Sequence, residues 1–177
     1  YAQESLMPFR RWDQVLEMLN YTDTIDPNNR RTAGLRNYII RIRELTAEIG
    51  RLEAKRRAKQ MTDVDVFALA QCYYEMGRTS EAAQLARGVA DKITEVSSLR
   101  LLASIFEDAH ADADAEKALD RYLKARPKAD ANAWADLAKI QARAGKKQAA
   151  QQSFIQAYSI DRQGIFARLH KEQELYE

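Results

Sequence analysis

Residues 96–130, VSSLRLLASIFEDAHADADAEKALDRYLKARPKAD, carry the pattern on which the fold turns. Leu99 and Leu102 are followed by the small Ala103 and the aromatic Phe106, then a polar turn at His110, then Ala115, Leu119, Tyr122 and a closing Pro127. On each side of the turn the apolar positions recur three and four apart, the period of a helix with one buried face. The same slots return one repeat earlier, in 63–95, as Val66, Leu69, Ala70, Tyr73, Gly77, Ala82, Ala86 and Val89. One repeat later, in 131–164, they are Trp134, Leu137, Ala138, Gln141, Gly145, Ala150, Phe154 and Ala157, with Arg162 in place of the closing proline. A period of about 34 residues that holds three times marks stacked helix hairpins.

Packing explains the spacing. Ala70, Ala103 and Ala138 let the second helix of a hairpin approach the first, while the large residues fill the layer between hairpins. No such hairpin buries its apolar stripe alone, so neighbouring repeats are mandatory. Thr62 or Asp63 precedes the first helix and Asp130 the fifth, each with a side-chain oxygen for unpaired N–H groups.

These three segments resemble tetratricopeptide repeats, over roughly 100 of the 177 residues. The resemblance implies an all-α, right-handed α-solenoid with three repeats over 63–164. It also implies a non-catalytic scaffold that holds a segment of a protein or peptide partner on its concave face. In this family the first helix of each hairpin lines that face. The matching positions here give Phe67, Gln71 and Tyr74, then Arg100, Ser104 and Glu107, then Asn132, Asp136 and Lys139. Phe67 and Tyr74 stand out as aromatics that the core does not demand, the residue type that anchors interfaces. The alternative is that Phe67 packs on the preceding helix and Tyr74 covers a turn. Some members clamp a chaperone's terminal carboxylate with Lys, Asn and Arg. The aligned positions here include Phe67, Gln71 and Asp136, so that constellation is absent.

Beyond the repeats, 165–177 reads as a capping helix, with Ile165, Phe166, Leu169 and Leu175 on one face and Lys171, Glu172 and Glu174 behind. Residues 1–62 form a helical N-terminal segment. Within it 10–27 resembles the second half of a repeat, with Val15, Leu19 and Thr22 in the slots and Ile25-Asp26-Pro27 as its ending. Two readings compete for 30–60. Leu35, Tyr38, Ile42, Leu45, Ile49 and Leu52 form the seam of one long helix or coiled coil. Gly50 offers a turn for a degenerate repeat, echoing the Glu-Met-Gly-Arg of the first clear turn; one glycine in a helix costs only about 1 kcal/mol, which favours the long helix. If Phe9, Trp12, Leu16 and Leu19 do not cover the 35–52 seam, a second copy does, and the segment is a homodimerisation device.

Composition narrows the chemistry. Gly and Pro number six and three, and Ala, Leu, Gln, Glu, Lys and Arg dominate, as in helical proteins. Cys72 is the one cysteine, which excludes an internal disulfide and a cysteine metal cage. It follows the small slot of a helix, with no adjacent base, and reads as an inert thiol. His110 and His170 lie in different elements without metal-ligand or triad spacing. Asp108, Asp112, Asp114 and Glu116 lack the glycine and ligand order of a calcium loop and read as a solvated turn. No glycine-rich phosphate loop occurs, so no cofactor, metal or catalytic residue is expected.

The net charge of +2 is unevenly spread: −3 over 1–29, +7 over 30–60 and −2 over 61–177. The basic block reads as the solvated face of a helix, a dock for an acidic partner, or a surface for the phosphate groups of nucleic acid or anionic lipid, with the solvated face as the default. Only Tyr38 interrupts it, so nucleic acid is disfavoured. No apolar run approaches the roughly 20 residues that span a bilayer. The start at Tyr1 suggests a piece of a larger protein, for example an accessory domain of a membrane-anchored or exported one.

Overall fold

The computed structural model describes residues 2–26, 30–126 and 130–174. Phe9, Pro27, Pro127, Leu169, His170 and Leu175, which enter the sequence reading above, lie outside the described residues or side chains. Among the described residues the regular structure is nine α-helices and one short 3-10 turn, with no strand. They fall into two compact units, 1–77 and 78–177.

The first unit holds α1 (Ala2–Ile25), α2 (Arg30–Arg57) and α3 (Asp63–Glu75). Leu19, Ile39, Leu45, Leu52, Leu69 and Ala70 are buried; of the 35–52 seam, Leu45 and Leu52 are buried, Ile42 and Ile49 half-buried, and Leu35 and Tyr38 exposed. Gly50 sits inside α2, which runs through it without a break. That helix ends where Lys59 takes a left-handed backbone, φ 57°. The Lys59 N–H then donates to the Arg56 carbonyl at 3.0 Å and the Gln60 N–H to that of Lys55 at 2.9 Å, a Schellman closure. Lys55, Arg56 and Arg57 crowd this last turn, where cations suit the helix dipole.

The start of α3 is a reciprocal capping box. Thr62 Oγ1 accepts from the Asp65 N–H at 3.2 Å, and Asp65 Oδ2 accepts from the Thr62 N–H at 3.0 Å. Lys55 on α2 donates to Asp65 Oδ1 at 2.7 Å, which is the main reason that carboxyl lies well below its usual range. Tyr73 Oη donates to Glu53 at 2.8 Å, and Arg41 forks onto Glu75 at 2.5 and 3.0 Å. Three polar links thus bind α3 along the length of α2.

The second unit holds α4 (Thr79–Val89), the 3-10 turn Ala90–Lys92, α5 (Val96–Asp108), α6 (Asp112–Ala125), α7 (Ala131–Arg143), α8 (Lys147–Ile160) and α9 (Arg162–Glu174). Each helix packs on the next in chain order, and α9 also touches α7. The small and large slots of the repeat form the core: Leu102, Ala103, Phe106, Ala115, Leu119, Leu137, Ala138 and Ala157 are all buried. Gln141 occupies a slot that is aromatic in the other repeats. Ser153 Oγ donates to its Oε1 at 2.8 Å, so the buried amide keeps a partner.

The α5–α6 and α7–α8 turns share one geometry. His110 (φ 54°) and Gly145 (φ 75°) are left-handed. Each is followed by a bond back to the last helical turn, Ala111 N–H to the Phe106 carbonyl at 2.8 Å and Lys146 N–H to that of Gln141 at 2.9 Å. Glycine adopts that backbone freely; histidine bears strain there.

The C-terminal helix departs from expectation. It begins at Arg162, not after Gly164, because Asp161 caps it: Asp161 Oδ1 accepts from the Gly164 N–H at 2.9 Å. A Cβ on Gly164 would lie 2.1 Å from the Asp161 carboxylate. Ile165 packs on Ala131 and Ala157 beside Trp134. Phe166, expected on the buried face, is 61% exposed: one residue beyond Ile165 it is turned about 100° around the helix. Among the described residues no helix is long and apolar enough to cross a membrane.

Candidate functional site: two helix faces

Of the nine candidate residues, three lie on α3 of the first unit and six on α5 and α7 of the second. On α3, Phe67, Gln71 and Tyr74 are each half-buried. Gln71 Nε2 donates to Glu75 Oε1 at 3.2 Å. Between α2 and α3 lies a hollow of about 350 Å³, whose charged lining is Arg41, Glu44, Glu48 and Glu75. Cys72 reaches its edge but is buried, and that burial, reinforced by Glu48 and Glu75, pushes the thiol up and away from the reactive thiolate.

The second face is built by α5, α7 and α9. Asp136, with its side chain only 8% exposed, is shared: Arg100 Nη2 from α5 meets Oδ2 at 2.5 Å, and Arg168 Nη2 from α9 meets Oδ1 at 2.5 Å. Both carboxylate oxygens are thus taken by charge-assisted bonds. The ladder extends sideways. Arg168 Nη1 lies 3.4 Å from the Asn132 carbonyl and side-chain oxygens. Arg100 Nε stands 3.7 Å from Asp130, which accepts from Tyr122 Oη and from the Ala133 N–H, both at 3.0 Å. Asp130 therefore caps α7 as the sequence suggests, and anchors the ladder as well.

Glu107 is half-buried one step along α5. Desolvation raises its carboxyl pKa, helped by Asp136 and opposed by Lys139, Arg143 and Arg100. Lys139 is exposed, and among the described residues no carboxylate comes within ion-pair distance of it. Ser104 Oγ returns to the Arg100 carbonyl at 3.3 Å. Asp136 is the candidate that presents least of itself to a partner; it orders the arginines on either side.

Next to the ladder lies an open groove of about 690 Å³. Ala135, Ala138 and Ala142 of α7, Ala150, Phe154 and Ile155 of α8, and Ile165 of α9 supply its apolar surface. Lys139 and Arg168 are its charged lining among the described residues.

The acids at the α5–α6 turn have cationic partners. Asp112 pairs with Arg143 at 2.6 Å, Asp114 with Arg87 at 2.7 Å and Glu116 with Lys146 at 2.7 Å. Among the described residues no group of three or more histidine, cysteine or carboxylate side chains is placed to hold a metal ion.

Arg168 and Ile155 are members of this site that the repeat spacing does not mark. A faint signal existed for Arg168: Arg100, Asp136 and Arg168 alternate in charge at separations of 36 and 32 residues, close to one repeat. Ile155 carried none, since it falls between two core slots.

No family model matches the chain, and no curated protein matches it. Solved structures do. The MamA RS-1 ArsTM double mutant superposes with a TM-score of 0.54 at 10% identity, over 91% of this chain and 92% of that one. MamA 41-end from Desulfovibrio magneticus RS-1 gives 0.53 at 11% identity, over 92% and 93%. A further MamA structure gives 0.51 at 13%, over 90% and 87%. At such identities the likeness speaks to the fold alone: this chain is an all-α, tetratricopeptide-like helical-repeat protein.

Proposed function

We propose that the chain is a non-catalytic scaffold that holds a segment of a partner protein against the first helices of its hairpins. The division that goes with this reading is an N-terminal helical segment, 1–62, three repeats over 63–95, 96–130 and 131–164, and a cap over 165–177. The observation that carries it is the Asp136 ladder. A buried carboxylate fixed by arginines from two other helices makes α5, α7 and α9 a pre-ordered surface, and a pre-ordered surface loses little entropy on binding. Exposed Asn132 and Lys139, with Glu107, stand on that surface, and Phe67, Gln71 and Tyr74 are the corresponding groups of α3.

The test is recovery of a defined partner by the wild-type chain and by surface variants that keep the helical circular dichroism spectrum. Asn132→Ala with Lys139→Glu, and Phe67→Ala with Tyr74→Ala, should each weaken recovery. Lys117→Glu with Lys124→Glu, on α6, should leave it unchanged. Recovery that survives both face variants and fails with the α6 variant defeats the proposal.

A second reading is self-assembly through the 35–52 seam. It is favoured by the exposure of Leu35 and Tyr38, 46% and 59%, at the end of a seam whose other residues are buried or half-buried. Met18, Tyr21 and Ile25 of α1 are also exposed. Here Leu35→Lys with Tyr38→Lys should turn a dimer into a folded monomer by light scattering; a wild type that is already monomeric refutes it.

A further inference from the structure

We propose that the groove between α7, α8 and α9 docks one amphipathic helix of a partner protein, its aliphatic face on the groove floor and a carboxylate beside Lys139 and Arg168. The inference rests on the scaffold reading and adds a place and a ligand chemistry to it.

The walls select a helix. All three are helices whose backbone groups are already paired internally, so the groove offers no free sheet edge to an extended peptide. A helix arrives with its own backbone bonds made and needs only side-chain complementarity. Ala135, Ala138 and Ala142 follow one another along one face of α7, about 10 Å of small side chains, and with Ala150 opposite they allow a close backbone approach. Phe154 and Ile155 rise beside them, with Ile155 60% exposed. The volume, about 690 Å³, suits several aliphatic side chains of a helix laid along the groove.

The charge selects the sign of the partner. The charged lining, Lys139 and Arg168, is cationic. Asp136 is divided between two guanidiniums and Asp130 stands 3.7 Å from Arg100, so the ladder is balanced and Lys139 is the charge of the lining that has no carboxylate within ion-pair distance among the described residues. A carboxylate on the docking helix would meet Lys139 without displacing any pair the chain makes among its described residues, whereas a lysine there would face two cations.

Fluorescence anisotropy of the full chain with two labelled amphipathic peptides tests this. The peptides share one leucine stripe and differ only in Glu or Lys along its flanks. The Glu peptide should bind at least about tenfold more tightly, equivalent to ~1.4 kcal/mol. Lys139→Glu should erase or invert that preference, and Ile155→Arg should weaken both peptides, with folding checked by circular dichroism. Equal binding of the two peptides, no binding of either, or binding indifferent to both variants overturns the inference. If Asn132→Ala and Phe67→Ala abolish binding while the groove variants do not, the groove fails and the scaffold reading stands. A doubled solution mass that Ile155→Arg abolishes would assign the groove to a second copy and also overturn it.

Discussion

Replacing Asp136 by Asn keeps the size of the side chain and removes the one charge that α5, α7 and α9 share. Two guanidiniums, each with roughly 70% of its side chain out of water, would then face a neutral amide. Breaking a fully buried ion pair by deleting one partner costs about 3–5 kcal/mol. Arg100 and Arg168 still reach solvent and recover part of their hydration, which brings the expectation to roughly 2–3 kcal/mol. In a unit of 100 residues each kcal/mol moves the thermal midpoint by about 4–8 °C, so the transition of the second unit should fall by on the order of 10 °C or more. Urea denaturation at low and high salt is the assay. The loss should persist at high salt, because a desolvated pair is poorly screened. Asp112→Asn, which breaks the pair between this half-buried acid and the exposed Arg143, should cost less, about 1 kcal/mol. A cycle with Arg100→Met should give a coupling above about 1 kcal/mol. If Asp136→Asn lies within about 0.5 kcal/mol of the wild type, typical of an ordinary surface change, the carboxylate does not organise this face.

Other outcomes follow from local geometry. His110→Gly should stabilise the second unit by up to about 1 kcal/mol, since only the left-handed backbone strain is relieved, and Gly145→Ala should lose a comparable amount; equal midpoints would contradict the turn geometry. Gly50→Ala, at an exposed site inside α2 with nothing within 4 Å of the added methyl, should gain about 0.5–1 kcal/mol in urea denaturation, whereas a loss would mean that a turn is needed there. Burial raises the Glu107 carboxyl, so its charged form opposes folding in full above its folded pKa. Glu107→Gln should therefore raise the thermal midpoint at pH 7, by a margin that disappears as pH falls below the ordinary 4.5. Glu95 behaves in the opposite sense. The Ser97 and Ser98 side chains, with their N–H groups, hold its carboxyl down at about 2. Its contribution is complete above pH 4.5 and is lost as pH falls from there toward 2, which comparison with Glu95→Gln across that window would reveal.

The repeat was legible because packing between helices permits few residues in its slots. Ala70, Ala103 and Ala138 are all buried, as small residues in a tightly packed layer must be. The caps at Thr62 and Asp130 could be read for a similar reason, as short polar side chains ahead of an apolar stripe. The cap of α5 was harder to see, since Glu95 does the work and a longer acid has no special preference for that position. The burial of Asp136 escaped because an acid in a helix reads as solvent-facing. Its two arginines come from α5 and α9, and a local pattern cannot register a partner more than 30 residues away. Apolar spacing alone leaves the start of α9 open; the Asp161 cap sets it at Arg162, and Phe166 then faces water beside buried Ile165.

Because Asp136 has two cationic partners on different helices, departure of α9 does not strand a buried charge. The carboxylate passes wholly to Arg100, and the opening of α9 forfeits the Ile165 contact, the Arg168 bonds to Asp136 and Asn132 and the Arg162 contact with the Tyr158 ring. Among the described side chains of α9 only Ile165 is buried, so this helix is held by little apolar contact and should open at low cost. Amide hydrogens of α9 should therefore exchange well before those of α7, in a step that leaves α5 to α8 protected. On this reading α9 is a detachable element, and whatever fills the groove beside it would also set how often it lifts.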